Sequence, residues 1–173
     1  MKGLFLYLLC FFAFAFVVEA QTSAPRALLE VREFNFDAVS PVKDYLFLKV
    51  FDNGQIEYEK DSVENNARKL VLHKYELSPV RFENLTAFLD NPEILDIADE
   101  YEPDFPIIDH TTTFDISLFR SSKTQTIKLT NYNLSNPKSK DKYPAKLAEL
   151  VCRIRALRDN TGFRMLGNDC LLK

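Results

Sequence analysis

The run Asp44–Lys60, DYLFLKVFDNGQIEYEK, constrains the fold more than any other stretch of the chain. Two apolar-rich segments flank Asn53-Gly54, a dipeptide that accepts the positive φ angles of a type I′ hairpin turn. A two-residue turn there sets Phe51 beside Ile56 and Lys49 beside Tyr58 on one face. Val50 and Leu48 then fall beside Glu57 and Glu59 on the other. The rest of the chain reads as strands and two helices gathered around this hairpin.

The N-terminus speaks to compartment. Met1-Lys2 is a short positive start, Leu4–Val18 is an apolar run, and Val18-Glu19-Ala20 suits a signal-peptidase site. The apolar run is shorter than the ~20 residues of a transmembrane span. A signal peptide at 1–20, a flexible leader at 21–26 and a single domain at 27–173 are therefore expected. An uncleaved anchor is the alternative. The expected location is exported, either periplasmic or secreted, with no membrane span after cleavage.

About 150 residues then remain, enough to bury a real core. The net charge of −3 argues against nucleic acid as a partner. The charge is unevenly spread, with ten carboxylates and no Lys or Arg between Glu83 and Phe119. From Arg120 to Lys173 there are twelve basic residues against four acids. Cys10 lies in the apolar run, which leaves Cys152 and Cys170 as a pair. In an oxidising compartment these predict one disulfide fastening the C-terminal tail to the last helix, worth ~3 kcal/mol. Two thiols without CxxC spacing point to neither a metal nor a redox site.

Ala27–Phe36 alternates as a strand, and Ser40-Pro41 predicts an interruption before the central hairpin. Asp61–Arg68 is polar and reads as a connection, and Lys69–Leu77 as a third strand beside the hairpin. Ser78-Pro79 predicts a helix start with Ser as N-cap, followed by the stripe Phe82, Leu85, Phe88 and Leu89. After Asn91-Pro92 a shorter stripe, Ile94, Leu95, Ile97 and Ala98, runs on toward Tyr101. Thr112–Phe119 and Thr124–Asn131 form a second hairpin. Asn133–Lys142 is a polar loop. Pro144 opens a last helix with the stripe Leu147, Leu150, Val151, Ile154 and Leu157, ended by Thr161-Gly162. The expected class is α+β: an antiparallel sheet of about five to six strands with two main helices on one face.

The run Pro106–Tyr132, PIIDHTTTFDISLFRSSKTQTIKLTNY, precedes the proline-started helix YPAKLAELVCRIRAL. Together they resemble the C-terminal half of a group of exported bacterial domains of unknown function. FDNGQIEYE is similar to the first hairpin of those domains. Many members carry a Gly- and Cys-containing motif ahead of that hairpin, and here Phe36–Asp44 has neither residue. The resemblance implies an exported bacterial protein and brings no activity with it.

The candidate chemistry is sparse. Asp109-His110 ahead of Thr111–Thr113 pairs a carboxylate with an imidazole, as a hydrolase-like site would. It lacks a nearby nucleophile, and adjacent strand residues face opposite ways. His73 reads as a cross-strand packing residue, since zinc needs three or four ligands and no spacing supplies them. The acidic run Asp96, Asp99, Glu100, Glu102 and Asp104 lacks the pattern of a calcium loop. The basic set Lys138, Lys140, Lys142, Lys146, Arg153, Arg155 and Arg158 faces either an acidic partner or the acidic middle of the chain. Asn84-Leu85-Thr86 and Asn133-Leu134-Ser135 match the N-glycosylation pattern, which has meaning only in a eukaryotic source. Tyr45, Phe47, Tyr58 and Tyr75 are expected to form an aromatic sheet face left uncovered by helices. The reading is an exported, non-enzymatic binding domain without metal or cofactor, whose partner is a protein or a small extracytoplasmic ligand. The alternatives are the Asp109–His110 enzyme and an inhibitor of an exported enzyme.

Overall fold

A computed structural model describes residues 24–37, 40–64, 67–102, 110–121, 123–131, 143–167 and 169–173. The expected signal peptide, most of the leader and the Asn133–Lys142 loop with its glycosylation pattern lie outside them. No helix among the described residues is long and apolar enough to cross a membrane.

Four strands open the domain: β1 (Ala27–Asp37), β2 (Ser40–Phe51), β3 (Gln55–Glu64) and β4 (Ala67–Glu76). Helices α1 (Pro79–Leu89) and α2 (Pro92–Leu95) follow, then β5 (Glu100–Tyr101), β6 (His110–Phe119) and β7 (Thr124–Thr130). Helix α3 (Ala145–Arg158) and a small hairpin of β8 (Phe163–Leu166) and β9 (Asp169–Leu172) complete it. The main sheet has seven strands in the order β4-β3-β2-β1-β6-β7-β5. The class is α+β, with two corrections to the expected sheet. It is larger, because β5 adds a seventh strand beside β7, and the segments at Ser40–Lys43 and Asp61–Glu64 lengthen β2 and β3 rather than forming connections. It is also mixed, because β5 runs parallel to β7.

The central turn is in the expected place, but its register is one residue off. Lys49 pairs with Glu57 and Val50 with Ile56. Asp52, Asn53 and Gly54 form a three-residue loop, with Gly54 at φ +83° and its N–H donating to the Phe51 carbonyl at 3.0 Å. A left-handed glycine in third place is the G1-bulge solution, and a one-residue slip exchanges the faces of every paired side chain. Val50 and Ile56 thus enter the core together.

Leu29, Val31, Leu48, Val50, Ile56, Ile116, Leu118, Ile127 and Leu129 form the inner face, against Leu85, Phe88, Leu147, Leu150 and Ile154 of the helices. Alternation sends charge to the outer face. There Lys74 pairs with Glu57 at 2.5 Å and Lys49 with Glu30 at 2.8 Å. In a second row Asp44 pairs with Arg32 at 2.8 Å and Lys128 with Glu100 at 3.1 Å, with Asp115 lying between Arg32 and Lys128 in register.

Ser78 occupies the N-cap position of α1, but its side chain makes no cap hydrogen bond. Helix α3 ends in a Schellman motif. Asn160 takes φ +50°, its N–H donates to Leu157, and the Thr161 N–H donates to Ala156 at 2.9 Å. Asn160, rather than Gly162, terminates the helix. Cys152 and Cys170 form the expected disulfide, with Cα atoms 5.5 Å apart, and fasten the β8–β9 hairpin to α3.

Candidate functional site

Two irregularities in β2 shape the most distinctive part of the inner face. Between Val31 and Arg32 the register with β1 shifts, because Val31 faces Leu48 while Arg32 faces Leu46. Phe47 is the extra residue of this bulge, which turns it and Tyr45 toward the helix side. Beyond Lys49–Glu57 the β2–β3 pairing ceases. The Leu46 N–H donates instead to the Glu59 carboxylate at 2.6 Å. The sheet is therefore split between β2 and β3, and tyrosines line the split from both strands.

Arg158, in the last turn of α3, lies over this split. Its guanidinium lies 4.2 Å from the Phe47 ring centroid and 5.9 Å from that of Tyr45, and it donates to the Glu59 carbonyl at 3.3 Å. Arg158 Nε is buried and has no hydrogen-bond partner among the described residues. Phe47 also meets Phe114 edge-on at 5.0 Å. Tyr58 stacks on His73, its cross-strand partner, at 5.2 Å and meets Tyr75 edge-on at 6.4 Å. The Tyr75 hydroxyl donates to the carbonyl of Leu157. Burial raises the Tyr75 phenol to about 12. Burial, reinforced by the Glu33 carboxylate bonded to it, pushes the Tyr45 phenol up as well. A polar chain continues along this face, with Asn35 donating to Glu33 at 2.8 Å and Thr112 donating to Asn35 at 2.7 Å.

The four aromatic residues singled out from sequence thus come together, but not as an uncovered face. Phe47 is only 5% exposed and belongs to the core, while Tyr45, Tyr58 and Tyr75 are half-buried against it. The physical reasons are the bulge at Phe47 and the shifted hairpin register, which together place all four on the face that packs on the helices. The uncovered face carries the ion-pair rows instead. Arg158 and Glu59 had no sequence signal as site residues beyond Arg158's place in a basic set.

His110 starts β6 opposite Asp37, and Asp109 lies outside the described residues. Of the acidic run, Glu100 is tied to Lys128, and Asp104 lies outside the described residues. Among the described residues no group of three or more His, Cys, Asp or Glu gathers as a metal site. Of the basic set, Lys146 and Arg153 pair with Glu149 on their own helix at 3.1 and 2.7 Å, not with the acidic middle segment. In comparisons with known proteins, no family model matches the chain and no curated protein matches it.

Proposed function

We propose that the protein is an exported, non-enzymatic binding domain whose contact surface is the cleft at the β2–β3 split. One observation carries the reading. Half-buried Tyr45, Tyr58 and Tyr75 gather with His73 at the split overlain by Arg158, a cation whose buried Nε has no partner among the described residues. Aromatic rings offer contact area at low entropic cost, and an arginine stacked on them can still donate to an incoming acceptor. Phe47 serves as the floor and the tyrosines as walls. The partner is a protein segment or small extracytoplasmic ligand presenting an acceptor to Arg158 and an apolar or aromatic group to Tyr58 and His73.

The test immobilises the purified protein beside a Tyr58→Ala, His73→Ala variant and exposes both to the native extracytoplasmic extract. Tyr58 and His73 are the wall residues least tied into the core, so the variant is expected to fold. A protein or ligand retained by the parent and lost from the variant supports the cleft. Equal retention by both, or none by either, removes it.

A further inference from the structure

A second concave site lies apart from the cleft, where α1 meets the C-terminal end of α3 and the start of β8. It is a pocket of about 250 Å³, lined among others by Arg81, Asn84, Leu85, Leu157, Thr161 and Phe163. We infer that this pocket binds a small organic carboxylate, with Arg81 and the Thr161 hydroxyl holding the carboxyl group and the apolar walls holding its hydrocarbon part.

Three observations carry the assignment. Arg81 is half-buried, yet its hydrogen-bond partners are neutral: Asn160 Oδ1 at 2.7 Å and the Thr161 carbonyl at 3.4 Å. Among the described residues no carboxylate forms an ion pair with it. Thr161 Oγ1 is buried and has no hydrogen-bond partner among the described residues. A hydroxyl left so has a donor to give, and a carboxylate accepts both from it and from the remaining guanidinium N–H groups. The floor is apolar, made of buried Leu85 and Leu157.

Arg153, the other cation on the wall, shares Glu149 with Lys146 and stacks between Phe88 and Phe163 at 4.1 and 5.1 Å, so its guanidinium is already engaged. A guanidinium with N–H groups to spare above an apolar floor suits a carboxylate with a short hydrocarbon chain. The volume lies just below the range typical of drug-sized ligands, which fits so small a molecule.

The test titrates the purified, ¹⁵N-labelled protein with sodium hexanoate, hexanamide and inorganic phosphate, following amide shifts. Hexanoate is expected to give saturable shifts at Thr161, Gly162 and Phe163, with hexanamide and phosphate at least about tenfold weaker. Arg81→Gln is expected to weaken hexanoate about tenfold or more, with Arg81→Lys in between. Asn84 is exposed at the rim, so Asn84→Trp obstructs the entrance without disturbing the core. It is expected to abolish the shifts even should Arg81→Gln fail to fold. Tyr58→Ala is expected to leave them unchanged, which separates this site from the cleft. The assignment is overturned by any of four results: no saturable shift with hexanoate, hexanamide or phosphate binding as well as hexanoate, a folded Arg81→Gln variant binding like the parent, or undiminished binding in Asn84→Trp.

Discussion

At the scale of single residues, two polar side chains show how burial decides the sign of a contribution. Gln125 is 5% exposed and saturated. Its amide donates to the carbonyls of Ile94 and Ile97 at 3.1 and 3.2 Å, and its oxygen accepts from Arg120 at 2.8 Å. Arg120 in turn donates to the Leu89 carbonyl at 3.0 Å, so one amide ties the ends of α1 and α2 to the sheet. Gln125→Ala strands two buried carbonyls and is expected to cost about 1–3 kcal/mol in urea unfolding. Asp115 behaves oppositely. Its Oδ1 is buried without a partner among the described residues, and burial raises its carboxyl above the ordinary range despite Lys128 nearby. A raised carboxyl means that the folded state holds its proton more tightly than the unfolded one, so ionisation at neutral pH works against folding. The penalty is full above the folded-state value and absent below the unfolded one. Asp115→Asn is therefore expected to raise the urea midpoint at about pH 7 and to leave it nearly unchanged at about pH 3, where both side chains are neutral. An equal gain at both values would show that charge is not the cause.

At the scale of elements, periodicity located most of the architecture and local backbone detail set the rest. The stripes of α1 and α3, the two hairpins and the β3–β4 pairing were legible because apolar spacing reports them directly. The central register was not. Asn-Gly reads as a two-residue turn, and nothing in the pattern marks Asp52 as the first residue of a three-residue loop. Gly54 carries the consequence. At φ +83° a side chain is strained, although the space for a Cβ is ordinary, with Phe82 carbon atoms 3.7 Å away. Gly54→Ala is expected to lose about 1–2 kcal/mol, while Asn53→Ala changes stability by less. Chemical denaturation of the pair checks the loop type, because a two-residue Asn-Gly turn requires positive φ at both residues and would penalise both. The bulge at Phe47 was invisible for a related reason: YLFLKV is apolar at nearly every position and leaves the inward residues undetermined. The four aromatic residues were therefore expected on the uncovered face, whereas they lie on the face that packs on the helices. Strands β5, β8 and β9 were missed as too short to show alternation, although Gly167-Asn168 between two apolar runs is a turn signal in hindsight.

At the scale of the whole molecule, α3 is the member on which both proposed sites depend. Its last turn supplies Arg158 to the cleft and Leu157 to the pocket, and its Schellman end presents Thr161 beside Arg81. The β8–β9 hairpin lies against this helix, with Phe163 stacked on Arg153, and the disulfide from Cys152 to Cys170 binds the two. Cys152 is fully buried, so the bridge enters the packed side of the helix rather than lying on its surface. The hairpin has two strands of four residues and too little apolar area to hold its place unaided. Closing a loop of this size is worth about 3 kcal/mol in the chain-entropy model. For a chain of this length, the double substitution Cys152→Ala, Cys170→Ala is expected to lower Tm by roughly 6–12 °C. The loss falls unevenly, because the main sheet owes nothing directly to the bridge. Limited proteolysis of the double variant is expected to cut within 163–172 first, while hydrogen exchange in β1, β2 and β6 stays slow. The same variant is expected to lose hexanoate shifts at Phe163 and to keep the Tyr58–His73 cleft intact. Simultaneous loss of protection in the hairpin and the sheet would instead make α3 and its tethered hairpin part of one cooperative unit with the core.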